Sequence, residues 1–214
     1  VGSTATMSPI EPAAIRHLLD RPFAVDGPAA FNALALELFH LHARHNPVYR
    51  AFLAGLGREA GTVQDVADIP FLPITLFRNH RVLLEGLDPS SHFTSSGTTG
   101  TVTSKHHVPF PQVYERSFTS SFKATYGMPT EWRILALLPA YLEREGSSLV
   151  YMAQQLIIES EDPLSGTYLY RYDELAKCSA GRKRKAVRPF CWVSPSPCWT
   201  WPNSIPCRCG TPPS

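Results

Sequence analysis

A short, unbroken apolar run, Ile134-Leu135-Ala136-Leu137-Leu138, stops at Pro139. It shows no polar face to water, so it reads as a strand buried on both sides. Such a strand needs covering layers, and helical periodicity flanks it. Upstream, Tyr114, Phe118, Phe122 and Tyr126 recur at every fourth position along a helix closed by Gly127. Downstream, Ser147-Ser148 caps a helix with Leu149, Met152, Leu156 and Ile157 on its inner side. Thr167-Tyr168-Leu169-Tyr170 suggests a further strand. Nearer the start, Phe31, Leu34, Leu38 and Leu41 mark an amphipathic helix that Asn46-Pro47 ends. Asp68-Ile69-Pro70-Phe71-Leu72-Pro73-Ile74 has too many prolines for a central strand, and is expected as an extended connector packed on the core. Arg81-Val82-Leu83-Leu84 is expected as a short strand. From about Ile10 to Val187 helices and strands alternate, which predicts an α/β layered architecture.

The chain has 214 residues, enough for one sizeable core or two small ones. A formal net charge of +2 argues for neither nucleic acid nor a membrane surface as partner. The one dense basic run, Arg182-Lys183-Arg184-Lys185, has no interleaved aromatics and reads as a solvated loop. No apolar stretch approaches the ~20 residues of a membrane span. Val1-Gly2-Ser3-Thr4-Ala5-Thr6 lacks the apolar core of a signal peptide, and Met7 is the expected natural start. The expected location is cytoplasmic.

Composition changes sharply after Arg188. Four of the five cysteines (Cys191, Cys198, Cys207, Cys209) and three of the four tryptophans (Trp192, Trp199, Trp201) lie there. The same stretch has no Leu, Ala, Asp, Glu or Lys. A disulfide framework fits poorly behind a body of cytosolic character. Zinc fits poorly too, because one residue separates Cys207 from Cys209, where structural pairs usually span roughly two to four. Codon structure explains the tail better. Trp is TGG and Cys is TGT or TGC, so codons can be re-read from the last base of each. Phe190-Cys191-Trp192-Val193 then gives Leu, Leu, Gly. Cys198-Trp199-Thr200-Trp201-Pro202 gives Leu, Asp, then Leu, Met or Val, then Ala. A frameshift near residues 185–190 is therefore expected. The organisation follows: an N-terminal remnant over 1–9, a partial domain over 10–187, and an irregular, non-native tail over 188–214, expected to be disordered.

The most informative stretch for chemistry is Phe93-Thr94-Ser95-Ser96-Gly97-Thr98-Thr99-Gly100. Its glycines let the backbone approach a ligand closely. Its hydroxyls and main-chain N–H groups can donate to anionic oxygens, as a polyphosphate loop requires. The spacing is not that of a Walker loop, and no lysine follows Gly100 directly. A polar surface turn is the other reading of such a cluster.

Ser95-Ser96-Gly97-Thr98-Thr99-Gly100 resembles the phosphate-binding motif of the adenylate-forming superfamily, and its double serine resembles the phenylacetate-CoA ligase and LuxE branch. Other segments are similar to LuxE-type acyl-protein synthetases: Asp68 to Ile74 with Leu76-Phe77, Ser104-Lys105-His106-His107, and Tyr114-Glu115-Arg116-Ser117-Phe118. So are Leu135 to Pro139 with Tyr141-Leu142-Glu143-Arg144, and Ser147-Ser148-Leu149-Val150-Tyr151-Met152. The resemblance covers about residues 10–187 and implies the N-terminal part, incomplete, of the acyl-CoA ligase-like fold.

The resemblance implies ATP-dependent activation of a fatty acid, with Mg²⁺, as an acyl-adenylate. Transfer to a protein cysteine follows, with an acyl-reductase as possible partner protein. It assigns Ser95, Ser96, Gly97, Thr98, Thr99 and Gly100 to the ATP phosphates, with Lys105 and His106 nearby. Only one of His106 and His107 can face the loop if they lie in a strand. Tyr141 and Arg144 are candidates bordering the acyl and nucleotide pockets, with packing and ion-pairing as their structural alternatives. Cys178 is the one cysteine ahead of the expected frameshift and does not match the family's acyl-accepting position. An aryl- or acyl-CoA ligase of the phenylacetate branch and an inactive truncated remnant are the alternatives. His40, His42 and His45 cannot share one metal ion on a regular helix at about 100° per residue, and no metal site is expected.

Overall fold

The computed structural model describes residues 10–95, 103–138, 146–168 and 188–193. The chain divides into two compact units, Val1–Val113 and Tyr114–Ser214, a division that falls within 10–187.

The first unit is helical, with one hairpin. It contains α1 (Pro12–Ile15), α2 (Pro28–His45), α3 (Pro47–Gly55), α4 (Leu76–Asn79), β1 (Ser91–Thr94) and β2 (Lys105–Val108). Pro28 and Pro47 open their helices in the first turn, where a missing N–H costs nothing. Asn46 does more than end α2. Its Oδ1 accepts from the N–H groups of Val48 (3.1 Å) and Tyr49 (3.3 Å), so it caps α3 as well. At 1% exposure, its buried amide has that capping role to satisfy it. The stripe expected on α2 is present in part: Leu34, Leu38 and Leu41 pack with Ile15, Leu18, Leu84 and Leu87, whereas Phe31 is 55% exposed. A second face of α2, Phe39 and Ala43, packs with Tyr49, Leu53 and Val63. The helix is thus buried on two sides.

The proline-rich connector has no strand, as expected. Ile69 and Leu72 pack against the second cluster, and the Tyr49 hydroxyl donates to the Pro70 carbonyl at 2.6 Å. Phe71 and Ile74 point outwards. Arg81–Leu84 is not the short strand expected. Leu84 is buried, but the neighbouring main chain bonds elsewhere: Glu85 N–H donates to the His45 carbonyl (2.7 Å) and its carbonyl accepts from Ile10 (2.9 Å). Apolar burial is satisfied there without a ladder.

The second unit holds most of α5 (Pro111–Tyr126), then β3 (Trp132–Leu137), α6 (Ser148–Ser160), β4 (Gly166–Thr167) and β5 (Arg188–Val193). Gly127 closes α5 with φ +89°, a left-handed turn that suits glycine. The three strands form a parallel sheet in the order β4-β3-β5. β3 lies between parallel neighbours, as its apolar run requires. Its alternation is visible in the packing. Ile134 joins Phe118, Phe122 and Leu156, and Ala136 and Leu138 meet Ala153; Leu135 and Leu137 turn to the other face with Tyr168. The Ser147 hydroxyl caps α6 by accepting from Val150 N–H at 3.3 Å. The strand expected over 167–170 is described only at its start, since residues 169 and 170 lie outside the described residues.

One expectation about the tail needs correcting. Residues 188–193 are not irregular: they pair with β3 in register from Trp132↔Arg188 to Leu137↔Val193. The physical reason is that this slot asks only for apolar, β-prone side chains, which Phe190 and Cys191 provide. The Phe190 ring meets Phe122, Tyr126 and Trp132 edge-on, with centroids 5.4, 5.0 and 5.8 Å away. No described helix is long and apolar enough to cross a membrane.

Candidate functional site

The hydroxyl-rich stretch is carried by the β1–β2 hairpin. Its antiparallel register is Ser91↔Val108, His92↔His107, Phe93↔His106 and Thr94↔Lys105. One more rung extends it towards the turn. Ser95 N–H donates to the Ser104 carbonyl at 3.0 Å, and Ser104 N–H donates back to Ser95 Oγ at 3.0 Å. Ser95 therefore uses its hydroxyl as an acceptor to fasten the foot of the loop. The hydroxyl proton remains for a second partner. Ser104, 5% exposed, is buried beneath this rung. Ser96, Gly97, Thr98, Thr99 and Gly100 lie outside the described residues, as do Tyr141 and Arg144.

Strand geometry sorts the remaining candidates. Side chains alternate between faces, and cross-strand partners share one. Thr94, Lys105, His92 and His107 therefore lie on one face, and Phe93 and His106 on the other. Lys105 and His106, expected together beside the phosphates, point in opposite directions. His106 stacks on Phe77 of α4, with centroids 4.5 Å apart and planes at 21°. Lys105 and His92 are exposed. The His92 and His107 rings are 6.5 Å apart.

The electrostatics of this face are one-sided. Burial first, then the positive groups Arg81, His92, Lys105 and His106, push the His107 imidazole below its usual value. Arg81 lies in the segment after α4 and is paired with Asp88 at 3.3 Å; both side chains are largely exposed. Gathered cations with solvent access suit an anion. His92 and Arg81 were not in the sequence-based site, and His107 stood there only as the alternative to His106. Once the Ser95–Ser104 rung is known, counting back puts His92 opposite His107, but the sequence alone does not mark where the rung closes.

Among the described residues, no group of three or more His, Cys, Asp or Glu side chains is placed to hold a metal ion. Mg²⁺ commonly keeps its waters and binds through substrate phosphates. Among the described residues of the hairpin, Lys105 and the Ser95 hydroxyl are polar groups that could meet such phosphate oxygens directly. His40 and His42 are exposed on α2, and His45 is half-buried. Cys178 and the basic run 182–185 lie outside the described residues.

No protein-family model matches the chain, and neither does any curated protein or solved structure. What the coordinates define is a mixed helix-and-strand protein, with a helical unit bearing a cationic hairpin and an α/β unit built on a three-stranded parallel sheet.

Proposed function

We propose that the chain is the N-terminal part of an adenylate-forming acyl ligase that activates a fatty carboxylate with ATP. The observation that carries this reading is the hairpin. Ser95 and Ser104 are tied by two hydrogen bonds at the two ends of a stretch rich in Ser, Thr and Gly, and Lys105 stands exposed on the adjoining rung. A sequence of this composition beside a cation has the hydroxyls and main-chain N–H groups with which a phosphate-binding loop receives anionic oxygens. The substrate class, a fatty carboxylate, is what the resemblance of segments between residues 68 and 152 to LuxE-type synthetases implies.

A carboxylate is a poor electrophile at neutral pH. Its oxygen attacks the α-phosphorus of ATP, pyrophosphate leaves, and the resulting mixed anhydride has AMP as leaving group. In this reading the turn holds the β- and γ-phosphates as charge develops on them. Mg²⁺, carried on the phosphates, would add neutralising charge. The acyl group would then pass to a protein cysteine, with an acyl-reductase as downstream partner. Transfer to coenzyme A is the alternative within the same chemistry. The Cys- and Trp-rich composition after Arg188 favours a second reading for the 214-residue chain as it stands: a remnant without turnover.

The test is ATP–pyrophosphate exchange on the frame-corrected protein, across a series of carboxylic acids. Exchange of pyrophosphate label into ATP, dependent on a fatty acid, is expected; with a radiolabelled fatty acid, the acyl label is expected on protein rather than on coenzyme A. No exchange with any acid removes the reading.

A further inference from the structure

We propose that the hairpin face carrying His92, Lys105 and His107 is a proton-dependent polyphosphate subsite, extending the contacts of the adjacent loop along the strands. The inference rests on the phosphate-loop reading and deepens it by adding residues and a regulation.

The register puts the three side chains on one face, with Thr94 opposite Lys105. Same-face positions on a strand are about 7 Å apart, so the face continues one step beyond the loop. Each neighbouring element contributes to its charge. β1 supplies His92, and β2 supplies Lys105, with His106 on the reverse side. The segment after α4 supplies Arg81, whose partner is Asp88. From α4 itself, Phe77 covers His106 and Arg78 is exposed in the last turn. Two fixed cations and two imidazoles thus stand against one solvent-exposed carboxylate.

A cross-strand imidazole pair is also a natural chelate for a divalent cation. The charges decide against it, because Lys105 and Arg81 would oppose a second positive ion where they would attract an anion. Burial first, then the surrounding cations, lower the His107 imidazole and make it responsive to an anion. An incoming polyphosphate reverses the local potential across the hairpin face, so protonation of the His92–His107 pair is favoured as the anion binds. By linkage, affinity then rises as pH falls through the imidazole range.

The experiment is calorimetric titration of the 214-residue chain with inorganic pyrophosphate at pH 8 and pH 5.5, in two buffers of different ionisation enthalpy. Wild type is compared with His92→Gln/His107→Gln and with Thr98→Ala/Thr99→Ala in the loop. The ligand's own titration is common to all three proteins and cancels in the comparison. Thermal melts confirm that each variant is folded. The histidine variant is expected to match wild type at pH 8, to bind about two- to fivefold more weakly at pH 5.5, and to take up fewer protons. Equal affinity and equal proton uptake at pH 5.5 overturn the inference. If the loop variant alone loses binding, the phosphate-loop reading stands and the subsite falls. If wild type binds no pyrophosphate, both fall. A melting temperature raised by Zn²⁺ in wild type but not in the histidine variant, without a pyrophosphate difference, would assign the pair to a metal instead.

Discussion

Phe190→Ala asks whether β5 belongs to the core of the second unit. Phe190 is half-buried on β5, and its ring is edge-on to Phe122, Tyr126 and Trp132. Truncating a fully buried Phe costs about 3–5 kcal/mol. Partial exposure lowers that share, while losing three aromatic edges, each about 0.5–1.5 kcal/mol and not additive, raises it. A net loss of about 3 kcal/mol follows, which for a unit of roughly 100 residues lowers the melting temperature by about 12–24 °C. Phe190→Leu, the residue type recovered by the shifted reading, keeps most of the apolar area and loses the edges, so about 1 kcal/mol is expected. Trp132 is a built-in reporter. Its ring touches Phe190, and its indole N–H donates to the Tyr126 carbonyl at 2.9 Å, so in a background with Trp192, Trp199 and Trp201 changed to Phe, fluorescence-detected urea unfolding reads the same cluster. A loss below about 0.5 kcal/mol, within the range of surface substitutions, would refute the packing of β5 on this cluster.

Two further outcomes follow from the second unit. Asp162 accepts from Arg133 Nε at 3.3 Å and Nη2 at 3.4 Å, with side chains only 10% and 18% exposed, and also from Leu164 N–H at 2.8 Å. Asp162→Ala should cost about 1–3 kcal/mol in chemical denaturation, because it takes two charge-assisted hydrogen bonds from a largely buried guanidinium, and an Arg133→Met/Asp162→Leu pair should recover much of it. The Tyr151 hydroxyl donates to Glu115; that bond first, then burial and the Glu115 charge, push the phenol up to about 12. A raised folded-state value gives stability that is complete below pH 10 and lost as pH rises through about 12. The stability advantage of wild type over Tyr151→Phe should therefore shrink between pH 10 and 12 in urea titrations; a constant difference would contradict the bond.

Much of the scaffold was readable from pattern. The unbroken run at Ile134–Leu138 gave the buried parallel strand, the four-residue aromatic repeat gave α5, and Ser147 gave the cap of α6. What pattern hid was tertiary. α2 packs on two sides, so its single expected stripe left Phe31 exposed and missed Phe39 and Ala43. The apolar residues near Leu84 are buried without a strand, because hydrophobicity reports burial and not hydrogen-bond partners. β1 and β2 are four residues each, too short for alternation to stand out. Their register is set by the Ser95–Ser104 rung, which no residue pattern marks in the sequence. Missing that rung placed His106 beside Lys105, when strand alternation sends it to Phe77 and brings His107 and His92 to the charged face.

The most direct measurement is amide chemical-shift mapping of the 214-residue chain titrated with ATP and Mg²⁺. Saturable shifts concentrated at Thr94 and Ser95 and at residues 103–107 are expected, with α6 and β3 nearly still. Shifts absent from the hairpin, or centred elsewhere, would contradict a nucleotide-gripping turn.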